Sequence, residues 1–148
     1  MFIFLDIDGV MVPAKGWKSP ELLNDGFPAF SPLAVRALQC LITEDTKVVL
    51  TTSHKSRFTQ DSWKSIFETR GLSVGKLETL AQNTIFPNRK EEILNWFSLN
   101  IINDDFLIID DDTSLNDLPK DLKEKLILTS PLIGLTERDL EHVKYKAL

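Results

Sequence analysis

The sequence is poor in the features that mark several common classes of protein. It contains a single cysteine, Cys40, which excludes an internal disulfide framework and a zinc site built from cysteines. Only 6 of its 148 residues are glycine and 7 are proline, too few for a collagen-like or low-complexity chain. We expect Cys40 to fill space in the core, and its free thiol is typical of a protein in the reducing cytoplasm.

Long apolar runs and an excess of positive charge are also missing. No apolar run approaches the roughly 20 residues that a membrane-spanning helix needs. The first run, Phe2–Leu5, is followed by Asp6 and Asp8 and has no basic segment before it, which predicts a strand rather than a secretion signal. A net charge of −5 argues against a broadly basic surface that binds nucleic acid, although it leaves room for a local basic patch.

What is present predicts one α/β domain over residues 1–148. Short apolar runs alternate with amphipathic stretches, a pattern typical of a three-layer α/β/α Rossmann-like fold with a parallel central sheet. The predicted strands are 2–5, 47–50, 84–86, 106–109 and 125–128. The predicted helices run from Ser31 to about 44, from 59 to 70, from 89 to 99, and onward from Thr136. A loop insertion at 12–30 follows the first strand.

Polar side chains stand where three of these strands end. They are Asp6 and Asp8, Thr51 and Thr52, and Asp110 and Asp111. Parallel strands present their carboxyl ends at one edge of the sheet, so we expect these side chains to converge there. Carboxylates gathered in one place repel each other, and Mg²⁺ relieves this repulsion because it takes oxygen ligands from carboxylates and phosphates.

The spacing of the first two aspartates favours a particular chemistry. In an extended chain Asp6 and Asp8 point to the same face, so one carboxylate can attack a substrate while the other handles a proton. Gly9 allows the backbone to turn sharply just after them. Phosphoryl transfer needs such a nucleophile, a neutralised phosphate and a proton for the leaving group.

These segments resemble the four motifs of the haloacid dehalogenase (HAD) superfamily of phosphohydrolases, in the correct order. The matching residues are Asp6-Ile7-Asp8-Gly9 for motif I, Val48-Val49-Leu50-Thr51-Thr52 for motif II, Arg89-Lys90 for motif III and Leu107-Ile108-Ile109-Asp110-Asp111 for motif IV. A finer similarity, to the HAD domain of Swiss Army Knife RNA repair proteins, is carried by Arg89-x-x-Glu92-Ile93-x-x-Trp96-Phe97, by the run 110–112 and by Gly134-Leu135-Thr136-x-x-Asp139.

The resemblance implies a role for each matching residue. Asp6 would be the nucleophile that forms an aspartyl-phosphate, and Asp8 the general acid and then the base. Thr51, assisted by Thr52, would hydrogen-bond the transferring phosphate.

The resemblance also implies the cation and the metal ligands. Either Arg89 or Lys90 would supply the positive charge of motif III, and the spacing leaves both open. Mg²⁺ would be held by Asp6, by the backbone carbonyl of Asp8, and by Asp110 and Asp111, directly or through water. The segment Ser53-His54-Lys55 departs from the Trp-Arg pair of similar sequences, and we interpret His54 as a polar loop residue.

The connection between the first strand and the helix at Ser31 is too short for a folded cap, and so is the stretch from Gly71 to Arg89, which predicts an open site. An open site admits a phosphate carried on a large molecule, and with the resemblance this favours phosphomonoesters at nucleic-acid ends. Two alternatives stay open: a small-molecule phosphatase or phosphotransferase, and a catalytically silent regulatory module that binds metal and phosphate. Trp17, Phe27 and Phe30 in the loop insertion either contact substrate or fasten the loop to the body.

Overall fold

A computed structural model of the chain describes residues 1–14, 20–80 and 88–141. Five strands form one sheet in the order β3-β2-β1-β4-β5, and every neighbouring pair is parallel. The strands are β1 (Phe2–Leu5), β2 (Lys47–Leu50), β3 (Lys76–Thr79), β4 (Phe106–Asp110) and β5 (Leu126–Leu128). The predicted α/β class with a parallel sheet is therefore confirmed.

Four of the five helices in the described residues lie where the sequence pattern predicted them, with local differences at their ends, and the short helix at Lys120–Lys123 was not predicted. The five helices are α1 (Pro32–Leu41), α2 (Gln60–Thr69), α3 (Arg89–Leu99), α4 (Lys120–Lys123) and α5 (Glu137–Leu140). Two 3₁₀ turns, at Lys55–Arg57 and Thr113–Asp117, were not predicted. Helix α1 ends before residue 44 because Ile42 adopts an extended backbone and the Thr46 hydroxyl accepts a hydrogen bond from the Thr43 N–H.

Successive side chains along the strands point to opposite faces of the sheet and contribute to a hydrophobic cluster on each face. Ile3 and Leu5 of β1 pack in the larger cluster with α1 and α2, whereas Phe4 packs in the smaller one with α3. Trp63 of α2 is fully buried, as expected for a core residue. Both faces of the sheet are thus covered, which is the three-layer arrangement.

One expectation from the sequence was wrong, and another falls on residues outside the described ranges. The third strand of the sheet lies at Lys76–Thr79, and the predicted position, 84–86, falls outside the described residues. Cys40 is exposed on α1 rather than packed in the core, and its thiol donates to the Arg36 carbonyl one turn earlier. The cysteine at this position therefore did not indicate a buried core residue.

The described part of the loop insertion is fastened to α2. The buried Arg70 guanidinium forms an ion pair with Asp25 at 2.7 Å and donates to the carbonyl oxygens of Phe27 and Pro28. The same guanidinium lies 5.0 Å from the centre of the Phe30 ring. Phe27 and Phe30 therefore hold the loop to the body, while Trp17 lies outside the described residues.

The described parts of the connections after β1 and β3 contain no helix or strand. Within the described ranges, a helix long and apolar enough to cross a membrane is also missing. The cytoplasmic location stays a prediction from the sequence.

Candidate active site

The register of the sheet brings three of the predicted site residues together. Leu5 of β1 pairs with Leu50 of β2 on one side and with Ile109 of β4 on the other. The residues that come next, Asp6, Thr51 and Asp110, therefore emerge side by side at the carboxyl edge of the sheet. Backbone hydrogen bonds continue the pairing, since the Asp6 N–H donates to Ile109 and the Thr51 N–H to Leu5.

Arg89, the first residue of α3, reaches into this group. Its Nη1 lies 2.7 Å from Asp110 Oδ2, 3.5 Å from Asp6 Oδ1 and 2.9 Å from the Thr51 hydroxyl. Asn88 caps the helix by accepting from the Glu91 N–H, and this cap fixes where the helix starts. One guanidinium thus links the ends of β1, β2 and β4.

The aspartates after β4 adopt a tight turn around the Asp110 side chain. Asp110 Oδ1 accepts hydrogen bonds from the backbone N–H groups of Asp111 at 2.8 Å and Asp112 at 3.0 Å. Asp112 caps the following 3₁₀ turn by accepting a hydrogen bond from the Ser114 N–H. Gly9 approaches so closely, with φ +79°, that a Cβ there would overlap the Asp111 carboxylate.

Asp6, Asp110 and Asp111 form a compact cluster of carboxylates. One oxygen atom from each lies within 4.8 Å of the others. Burial, reinforced by repulsion from the nearby Asp110 and opposed by Arg89, raises the pKa of Asp6 to about 8. Burial also raises the pKa of Asp110, again against the effect of Arg89. Arg89 thus compensates only part of the negative charge of the cluster, and the carboxylate oxygen atoms are the ligands that Mg²⁺ prefers.

Arg89 stays positively charged in this environment. Burial disfavours its charge, but Asp110, Asp6 and Glu92 together raise the pKa of the guanidinium above its ordinary value. Among the described residues its Nε is buried without a hydrogen-bond partner, and Glu92 Oε1 is 3.8 Å away. A buried donor left unpaired costs free energy, so Arg89 has unused capacity for an anionic oxygen.

Asp8 lies outside this cluster, at the mouth of the site. Its side chain is 60% exposed, and Oδ2 is 2.8 Å from His54 Nε2. Arg57 Nη1 contacts the other ring nitrogen of His54, Nδ1, at 3.3 Å. The implied metal ligand of this residue is its backbone carbonyl, so the outward side chain is free for proton transfer.

The other two predicted phosphate ligands are placed differently. Thr52 is buried, and its hydroxyl accepts from the His54 N–H at 3.2 Å, which forms the turn after β2. Lys90 follows Arg89 in α3 and makes no ion pair with the described acidic side chains. Of the two candidates for the motif III cation, the structure therefore places Arg89 beside the carboxylates.

Three residues near the site were given no catalytic, phosphate-binding or metal-binding role by the sequence. His54 contacts Asp8, as described above. Lys55 is buried and pairs with Glu92 at 3.1 Å, while Glu92 lies one turn after Arg89 and faces its guanidinium. The spacing of Arg89 and Glu92, three positions apart on a helix, is a signal that predicts such a contact.

The fold and the order of these site residues along the chain are those of HAD-type domains. The chain belongs to the family described as the HAD domain in Swiss Army Knife RNA repair proteins, whose model matches residues 2–140. No curated protein and no solved structure matches the chain. Family membership supports a HAD-type phosphohydrolase in general.

Proposed function

We propose that the protein is a Mg²⁺-dependent phosphohydrolase that works through an aspartyl-phosphate on Asp6. The observation that carries the proposal is the convergence of Asp6, Asp110 and Asp111 with Thr51 and Arg89 at one edge of the sheet. Such a group offers an oxygen nucleophile, a hydroxyl donor and fixed positive charge around one point. Phosphoryl transfer depends on this combination of positioning and charge neutralisation.

Two displacements at phosphorus complete the reaction. In the first, an Asp6 oxygen forms a bond to phosphorus, the bond to the leaving oxygen breaks, and Asp8 gives that oxygen its proton. In the second, Asp8 takes a proton from water, the water oxygen bonds to phosphorus, and the bond to Asp6 breaks. Asp8 ends protonated and Asp6 ionised, as at the start, so the cycle closes.

The charges of the site fit this sequence of steps. The raised pKa of Asp6 means that the carboxylate needs a compensating cation before it can act as a nucleophile near neutral pH. Mg²⁺ bound by Asp6, Asp110, Asp111 and the Asp8 carbonyl would supply positive charge to the nucleophile and to the phosphate. Arg89 and Thr51 would bind the oxygens of the transferring group.

We further propose that the phosphate is carried on a nucleic-acid end. The family is named for RNA repair proteins, and the described connections around the site contain no cap that would exclude a large substrate. Arg57 and His54 at the mouth add basic character to a chain that is acidic as a whole. A reducing, cytoplasmic setting belongs to the same proposal.

Phosphate release from an aryl phosphate tests the reaction. We expect release with Mg²⁺ and none with excess chelator, and we expect Asp6→Asn to lower kcat by on the order of 10⁴-fold or more because the nucleophile is lost. Asp45→Asn is the matched control, since Asp45 is exposed just before β2, at the opposite edge of the sheet. Folded wild-type protein without activity on any phosphomonoester would favour the silent module.

Matched oligonucleotides test the substrate class. RNA carrying a 3′-phosphate, the same RNA carrying a 5′-phosphate, and the corresponding mononucleotides differ in size and in the position of the phosphate. We expect a higher kcat/KM for one of the two RNA ends than for the mononucleotides. A preference for mononucleotides would instead favour the small-molecule phosphatase.

A further inference from the structure

We propose that His54 is a positioning residue that aims the carboxylate of Asp8 at the leaving group. The inference rests on the proposed phosphohydrolase function and adds a residue to it. His54 lies 46 positions after Asp8 in the chain, yet its Nε2 is 2.8 Å from Asp8 Oδ2. Among the described side chains, His54 is the hydrogen-bond partner of Asp8.

Arg57 determines which nitrogen of the His54 ring carries the proton. A guanidinium can only donate, so Arg57 Nη1 at 3.3 Å requires Nδ1 to be the acceptor. In neutral His54 the hydrogen then sits on Nε2, where it is donated to Asp8 Oδ2. The direction of both hydrogen bonds therefore follows from the chemistry of arginine.

The ring of His54 is held in place from two sides. The Thr52 hydroxyl accepts from the His54 backbone N–H, which fixes the turn after β2. The Phe27 ring and the imidazole pack nearly perpendicular to each other with centroids 5.8 Å apart, and Phe27 also packs on the buried Trp63. Arg70 in turn holds the Phe27 carbonyl at 3.0 Å. His54 thus has a fixed support for a contact that is itself partly exposed.

The hydrogen bond from His54 fixes the orientation of the Asp8 carboxylate. An aspartate that is 60% exposed is otherwise free to change its side-chain rotamer. With Oδ2 held by His54, the other oxygen, Oδ1, is the one available to carry the proton for the leaving group. A general acid contributes most when it is correctly placed in the transition state, so loss of His54 should slow this step without removing the acid itself.

Two substrates with different leaving groups separate positioning of the acid from general damage. An alkyl phosphate needs a proton for its leaving oxygen, whereas 2,4-dinitrophenyl phosphate does not. We expect His54→Ala to lower kcat/KM about tenfold for the alkyl phosphate, as one lost hydrogen bond predicts, and less than about twofold for the dinitrophenyl ester. His54→Gln, which can donate from Nε2, should restore much of the alkyl activity.

A spectroscopic measurement tests the same contact without turnover. Nitrogen-15 chemical shifts of the imidazole ring report which nitrogen is protonated, and the His54→Gln spectrum identifies the His54 signals among those of two histidines. At a pH where imidazole is ordinarily neutral we expect the Nε2–H form in the metal-free protein. Arg57→Ala should weaken the preference for that form.

The possible failures are distinguishable. Wild-type protein that is inactive on both esters overturns the proposed function and this inference with it. Active wild-type protein overturns the inference alone if His54→Ala slows both esters equally or neither, or if His54 carries its proton on Nδ1. A melting temperature for each variant identifies a folding defect, and the tautomer in wild-type protein then still decides the matter.

Discussion

The two halves of the active site are built in opposite ways. The floor of the site is mostly buried. It consists of Asp6, Asp110, Asp111 and Thr51 at the strand ends and of Arg89 at the start of α3. The rim, which consists of Asp8, His54 and Arg57, lies on loops and is open to solvent. The side chain of Asp110 is 1% exposed, whereas that of Asp8 is 60% exposed.

The difference matches what each part has to do. The floor must hold like charges close together, and only a rigid sheet edge with a buried cation achieves this. The rim must exchange protons with a leaving group and with water, so it needs solvent and a carboxylate that can turn. We therefore expect changes in the floor to alter stability and metal binding, and changes in the rim to alter rates alone.

The largest effect on the rim should come from removing its acid. We expect Asp8→Asn to lower kcat/KM for alkyl phosphates by about 10²- to 10⁴-fold, because the leaving oxygen no longer receives a proton. Stability should hardly change, since the side chain is exposed and its implied metal contact uses the backbone. Steady-state kinetics and urea unfolding of the same preparation check both halves of this prediction. If Asp8→Asn lowered the free energy of unfolding as much as a substitution in the floor does, the contrast between floor and rim would be contradicted.

Removal of one arginine from each half compares the two parts directly. Arg89→Met should destabilise the metal-free protein by about 3 kcal/mol, because it leaves Asp6 and Asp110 buried without their cation. Arg57→Ala should change stability by less than about 0.5 kcal/mol, since Arg57 is exposed. Chemical denaturation measures both values. Similar values for the two variants would mean that the floor is not held together by charge.

The floor was largely predictable from the sequence, for a physical reason. Apolar runs that are followed by Asp6, Thr51 and Asp110 predict parallel strands. Parallel strands bring their carboxyl ends together irrespective of the conformation of the connecting loops. The choice between Arg89 and Lys90 was not predictable, since neighbouring helix positions point about 100° apart and the start of the helix decides which one faces the floor. Asn88 fixes that start through its cap.

The rim was much harder to predict. The contact between His54 and Asp8 depends on the turn formed by Thr52 and on Phe27 from a distant loop, and neither leaves a periodic pattern. The edge strand β3, at Lys76–Thr79, was not predicted for a related reason. Of its four residues only Leu77 is buried, so Lys76–Thr79 lacks the apolar run that marks the central strands.

Mg²⁺ should raise the free energy of unfolding through the carboxylates of the floor and not through the side chains of the rim. At a concentration about a hundredfold above its dissociation constant, Mg²⁺ should raise the free energy of unfolding by about 2.7 kcal/mol in wild-type protein. We expect the same increment in Asp45→Asn and in Asp8→Asn, and little or none in Asp110→Asn, which loses a carboxylate of the cluster. Thermal melts with and without Mg²⁺ give the increments. A full response in Asp110→Asn would place the ion elsewhere.

The smallest effect concerns pH and comes from Asp6 alone. The pKa of this carboxyl is about 8 in the folded protein against an ordinary value of 3.8, so between these values the folded state binds more protons than the unfolded state. The free energy of unfolding must therefore fall as pH rises through this window, and the full penalty is present only above about pH 8.

The Asp6→Asn variant tests this because its side chain at position 6 cannot ionise and so does not incur the penalty. We expect metal-free wild-type protein to lose on the order of 1 kcal/mol relative to Asp6→Asn between about pH 6 and pH 8, as measured by urea unfolding at each pH. Parallel curves for wild-type protein and Asp6→Asn would mean that the floor does not penalise the charge of Asp6, and the case for a compensating divalent ion would lose its electrostatic basis.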